Sequence, residues 1–153
     1  MVDVAKNLLA IKAQLPDGVE LTAVSKFHPD EYITAAYNVG QRIFGESHEQ
    51  ELARKAASLP KDIHWHFIGH LQTNKVKYIA PYISMIESVD SIRLLREIEK
   101  QGARCGRRIR VLLELHIAEE ATKYGLTPDD CRSLLADGEW QQMEHVEICG
   151  LMM

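Results

Sequence analysis

Leu21-Thr22-Ala23-Val24-Ser25-Lys26-Phe27-His28-Pro29-Asp30-Glu31 reads as an apolar strand that runs directly into a helix start. Pro29 suits the first helical turn, where its missing N–H costs nothing, and Asp30 and Glu31 favour the positive end of the helix dipole. Lys26 is thereby carried to the C-terminal lip of a strand, which is where β/α folds keep their chemistry. A lysine desolvated at such a lip can lose its charge and attack an aldehyde. Many strands simply end in a solvated charge, and position alone favours that plainer reading.

Working outward, the same alternation repeats. Residues 2–15 carry Val4, Leu8, Leu9, Ile11 and Leu15 at helical spacing, stopped by Pro16-Asp17-Gly18. The helix after Lys26 runs to Asn38 or Val39, with Gly40 as a left-handed cap. A second strand is expected over 42–45 and a helix over 46–58. The third unit is a strand over 63–68 and a helix over 71–80 that stops before Pro81. The fourth strand covers 84–89. Asp90 is expected to cap a helix that presents Ile92, Leu95 and Ile98 on one face and closes at Gly102. Residues 109–115 form the most β-like run. Thr127-Pro128-Asp129-Asp130 combines a hydroxyl cap, a first-turn proline and acid in the first turn, and 146–153 forms a sixth apolar strand.

Six β/α units in strict alternation predict a parallel sheet with helices outside it. The first four strands recur about every 20–25 residues, which is compact β/α spacing. No Gly-x-Gly-x-x-Gly loop follows the first strand, which disfavours a dinucleotide fold. The expected fold is therefore an α/β, (β/α)8 TIM-barrel type, incomplete at about six β/α units because a full barrel takes roughly 200 residues or more. Residues 1–153 are expected to form one partial domain. The chain ends within the apolar run Ile148-Cys149-Gly150-Leu151-Met152-Met153, so a truncated barrel is the expectation. Its two open sheet edges would offer a route to a homodimer.

The 153 residues carry a net charge of −4, which gives no basic footprint for nucleic acid and no cationic surface for membranes. No apolar run approaches a membrane span, and Met1-Val2-Asp3-Val4-Ala5-Lys6 lacks a signal-peptide pattern. Cys105, Cys131 and Cys149 are odd in number and contain no C-x-x-C pair, so neither a disulfide framework nor a zinc knuckle is expected. The reading is a cytoplasmic protein. His64 and His66 share one strand face with His70 just beyond, but no H-E-x-x-H helix supports a metal site, and none is assigned. Lys100, Arg104, Arg107, Arg108 and Arg110 are locally basic without aromatics, which reads as a solvated loop rather than a phosphate patch.

The longest distinctive string is Trp65-His66-Phe67-Ile68-Gly69-His70-Leu71-Gln72-Thr73-Asn74-Lys75. It is similar to the W-H-F-I-G-x-L-Q-x-N-K motif of the YggS/PROSC family of pyridoxal phosphate homeostasis proteins, which resemble the barrel domain of alanine racemase. Ala23-Val24-Ser25-Lys26, Gly40-Gln41-Arg42, Phe44-Gly45-Glu46, Val89-Asp90-Ser91 and Gly150-Leu151-Met152 extend the resemblance over nearly the whole chain. Glu120, Lys123 and Gly125 resemble the family's E-x-x-K-x-G loop.

The resemblance implies that pyridoxal 5'-phosphate is held as a Schiff base, an internal aldimine on Lys26, with Ser47, Gln72, Asn74 and Met152 as further cofactor contacts. It implies intracellular buffering of the cofactor, passed on to apo-enzymes that depend on it, rather than turnover. An amino-acid racemase or lyase using the same linkage is the alternative, although a racemase needs a second acid/base group on the opposite cofactor face. A further alternative is a non-binding remnant associating through its open edges. Three departures stand out. Ser47 occupies a usual asparagine position, so one amide contact becomes a shorter hydroxyl. His116 also replaces a common asparagine. The family's phosphate-holding S-x-G-M-S and R-x-G segments would fall beyond Met153, so this chain is expected to hold the amine half of the site without the phosphate half.

Overall fold

The computed structural model of the chain describes residues 2–117 and 124–153. A six-stranded parallel sheet runs in strict chain order from β1 to β6. Its strands are β1 (Ala23–Val24), β2 (Ile43–Glu46), β3 (His64–Phe67), β4 (Met85–Val89), β5 (Ile109–Glu114) and β6 (Val146–Met152). The helices are α1 (Val4–Ala13), α2 (Asp30–Asn38), α3 (Glu49–Ser58), α4 (Val76–Ile79), α5 (Ile92–Cys105) and α6 (Pro128–Asp137). A sheet that adds each new strand beside the last, in one direction, is wound as a barrel is; a doubly wound sheet reverses order partway. The expected α/β barrel-type fold of about six units is what the chain forms.

The register assigns the two faces. Phe67, Ile86, Val111 and Ile148 are lateral partners across β3 to β6, and Phe44 pairs with Trp65. These pack into one core with Ile33, Leu52, Val76, Ile79, Leu94, Leu95 and Ile98 from the helices. Burial of each such side chain contributes about 1.5–3 kcal/mol. The opposite face carries Gly45, His66, Met85, Arg110 and Glu147 as lateral partners. Strands alternate their side chains, so one apolar and one polar-rich face follow directly from the sequence.

Several element ends differ from expectation. Ser91, not Asp90, caps α5, its hydroxyl accepting the Leu94 amide, because the serine lies at the correct offset from the first helical turn. Helix α5 continues through Gly102 to Cys105 and stops at left-handed Gly106. A Cβ on Gly102 would lie 2.9 Å from the Arg107 carbonyl oxygen, so this glycine permits close packing and does not terminate the helix. The expected helix over 71–80 becomes a 3-10 turn, Thr73–Lys75, followed by the single turn of α4. Residue Gln72 stays extended, and Thr73 and Asn74 are weak helix formers. Thr127 caps α6 by accepting the Asp130 amide, as expected.

Candidate functional site

The C-terminal strand ends gather at one rim. Lys26 follows β1, Ser47 follows β2, Gln72 and Asn74 lie in the segment after β3, and Met152 ends β6 opposite Glu114. Lys26, Gln72 and Asn74 are exposed, whereas Ser47 and Met152 are half-buried. Gln72 lines a cleft of about 340 Å³ with His70, Asp90, Ser91 and Arg93, and Lys26 does not reach that cleft. The five residues thus share a rim but not one cavity. Ser47 is locked to the β3 segment: a Cβ on Gly69 would lie 2.7 Å from the Ser47 carbonyl oxygen and 2.9 Å from its Cα. Only glycine lets the two loops approach so closely.

Lys26 occupies a tight turn. The His28 amide donates to the Ser25 carbonyl at 3.1 Å, and Phe27 has φ +65°. Glycine is the usual residue at a positive-φ turn position, and another residue there is strained by about 1–3 kcal/mol. The surroundings enforce that turn. The Phe27 amide donates to Glu51 at 2.8 Å, and the buried Ser25 hydroxyl donates to Glu46. Lys55, from α3, is 0% exposed and donates to the Ser25 carbonyl at 2.8 Å, Glu46 at 2.9 Å and Glu51 at 2.7 Å. These contacts use all three of its N–H donors.

This Ser25–Glu46–Glu51–Lys55 cluster joins residues far apart in the sequence. A signal for it exists: Lys55 stands three residues after Leu52, on the buried face of α3, and four after Glu51. A lysine on an apolar stripe calls for a buried partner. Burial alone would raise the Glu51 pKa, but the bonds from Lys55 and the Phe27 amide outweigh it and hold the carboxyl below its usual range.

On the far side of the rim, burial pushes the Glu114 carboxyl above its usual range. Nearby Asp90 adds to the rise, and His70 partly opposes it. A raised folded-state pKa lowers stability as pH climbs from the ordinary glutamate value through the raised one. Glu114→Gln is therefore expected to raise the thermal midpoint at neutral pH, with the advantage vanishing as pH falls below the carboxylate range. Equal midpoints at neutral pH would overturn this reading.

The chain returns beside Glu114. The Leu126 amide donates to the Glu114 carbonyl and the His116 amide to the Leu126 carbonyl, each at 2.8 Å. Gly125, with φ +126°, permits this return, since a Cβ would lie 2.7 Å from the His116 nitrogen. Glu120 and Lys123 of the expected loop motif lie outside the described residues. His66 is paired through Nδ1 with Glu87 at 2.6 Å. Among the described residues, no group of three or more His, Cys, Asp or Glu could hold a metal. From the basic run, Arg107 donates to the Ala80 and Ile83 carbonyls, while Arg110 meets Cys149. Among the described residues, no helix is long and apolar enough to cross a membrane.

Comparison with known proteins places this geometry. The family model for the alanine racemase N-terminal domain matches residues 2–153. The pyridoxal phosphate homeostasis protein of Schizosaccharomyces pombe is 38% identical over 136 residues, covering 88% of this chain and 56% of the relative. Its human counterpart is 36% identical over 141 residues, covering 86% and 51%. The chain thus spans about half the length of these curated relatives. PipY of Synechococcus elongatus, in a structure with pyridoxal phosphate bound, superposes with a TM-score of 0.87 at 36% identity. That match covers 97% of this chain and 69% of PipY. Alanine racemase from Streptomyces coelicolor shares the fold, with a TM-score of 0.79 at 19% identity over 97% of this chain and 40% of that one. The specific string at Trp65–Lys75, the chain-ordered parallel sheet and these likenesses agree: the chain belongs to the YggS/PROSC family of pyridoxal phosphate homeostasis proteins, built on the alanine racemase N-terminal fold.

Proposed function

We propose that the protein binds pyridoxal phosphate through a covalent link to Lys26, within one partial β/α barrel domain over residues 1–153, and serves cytoplasmic homeostasis of that cofactor. The carrying observation is the exposed Lys26 side chain at the rim of a parallel sheet, on a turn held rigidly from below. The bound cofactor in PipY, which is 36% identical, supports the same reading.

The amine half of the site fits an aldehyde cofactor. Lys26 would hold such a cofactor through Nζ, whose amine would supply the nitrogen of a C=N link to the aldehyde carbon, with the aldehyde oxygen released as water. Ser47, Gln72, Asn74 and Met152, after β2, after β3 and at the end of β6 on the same rim, are the proposed further contacts. Delivery to cofactor-dependent apo-enzymes is part of the proposal. So is pairing of two copies through β1 and β6, the edge strands of the described sheet, where Val24 and Leu151 are exposed.

The test is to add pyridoxal phosphate at sub-stoichiometric concentration, reduce with borohydride, digest and locate the adduct by mass spectrometry. A single dominant adduct on Lys26 is expected. Labels scattered over surface lysines, with Lys26 unmodified, would overturn the assignment.

A further inference from the structure

We infer that Lys55 is the positioning residue of the cofactor lysine: it fixes the backbone on both sides of Lys26 and so sets where the Lys26 amine points. The inference rests on the reading of Lys26 as the cofactor anchor. It concerns a residue that never touches the cofactor, because Lys55 is fully buried and its three donors are occupied within the cluster.

Lys26 lies between two residues that the cluster holds. On its N-terminal side, the Ser25 carbonyl accepts from Lys55, while the Ser25 hydroxyl donates to Glu46. On its C-terminal side, the Phe27 amide donates to Glu51, which Lys55 also binds. Lys55 is the cation common to all these contacts. Phe27 is 73% exposed, with its ring tilted against that of His48 at 5.3 Å between centroids, so packing gives little support to its left-handed backbone. A non-glycine residue persists in that conformation only where its surroundings over-determine it. Here that determination comes from the turn hydrogen bond of His28 and from the Lys55 cluster.

Packing of α3 alone does not account for this arrangement. Its buried face already carries Leu52, and an ammonium placed beneath a turn is an expensive way to fill space. Fixing the backbone under a reactive side chain raises affinity by removing the freedom that binding would otherwise have to freeze.

The test compares the wild-type chain with Lys55→Met and with Glu51→Ala. Glu51 is on the accessible side of the cluster, and alanine sustains the helix, so the second variant keeps the test decisive if the first does not fold. For each protein, cofactor affinity and release rate are measured well below the thermal midpoint, with circular dichroism to establish the folded fraction. Borohydride trapping then gives the lysine modified. The expected result is affinity per folded molecule lower by about tenfold, faster release, and a label that spreads from Lys26 to surface lysines. A merely structural cluster would lower the melting temperature while leaving affinity and release per folded molecule unchanged, and that outcome overturns the inference. If the wild-type chain itself leaves Lys26 unlabelled, the anchor assignment fails first. Labelled wild type with unaltered Glu51→Ala isolates the failure to the positioning role.

Discussion

Replacement of Lys26 by alanine is expected to remove the borohydride-fixed pyridoxal phosphate adduct down to the background of surface lysines, with at least about a tenfold loss of apparent affinity, ~1.4 kcal/mol. The chemistry allows no neighbour to substitute. A new C=N bond needs an amine with a free lone pair and room for the incoming aldehyde. Lys55 is the nearest lysine to this turn through the cluster, and its ammonium is enclosed with every N–H donated to oxygen. Lys75 lies after β3 and is engaged with Glu49 at 3.6 Å. The fold should be indifferent to the change, because Lys26 is exposed and its side chain has no hydrogen-bond partner among the described residues. Absorbance titration together with adduct mapping is the measurement. Unchanged affinity in a folded Lys26→Ala chain would end the case for this residue.

The second large effect concerns stability. Lys55→Met is expected to destabilise the chain by about 3–5 kcal/mol, the range for removing one partner of a buried ion pair. Glu46 is 0% exposed and its Oε1 has no hydrogen-bond partner among the described residues, so the lost cation leaves a carboxylate deep in the protein without its main compensation. Glu51 loses its ion-pair partner too, although it stands nearer solvent.

The pH dependence has a definite sign. Glu51 is held below its usual range in the wild type, so the stability it contributes is present above the ordinary glutamate value and is lost as pH falls through the lowered one. The gap between wild type and variant should therefore narrow in acid. Urea unfolding at neutral and acidic pH measures both quantities. Adding Glu46→Gln to Lys55→Met should restore part of the loss, since it neutralises the stranded carboxylate. An unchanged urea midpoint in the single variant would show that the cluster carries little of the fold's stability.

Much of this was legible in the chain itself. The apolar run before Lys26, the first-turn acids of α2 and the Thr127 cap are local signals, and each depends on residues within a few positions of one another. Helix boundaries are less legible, because neighbouring residues offer competing caps. Asp90 and Ser91 are both good caps, and only the course of the chain selects Ser91. Gly102 reads locally as a stop, whereas its close contact with His145 is tertiary.

The sequence by itself determined the alternation of strands and helices, the family, through the string Trp65–Lys75, and a lysine at the lip of the first strand. The tertiary structure decided which of two lysines near that lip is exposed and which is buried. Hydrophobic periodicity is a local property, whereas the burial of a charge depends on oxygens brought from afar. Lys55 meets the Ser25 carbonyl across 30 residues of chain, and Ser25 meets Glu46 across 21, contacts that exist only once β1, β2 and α3 have packed together.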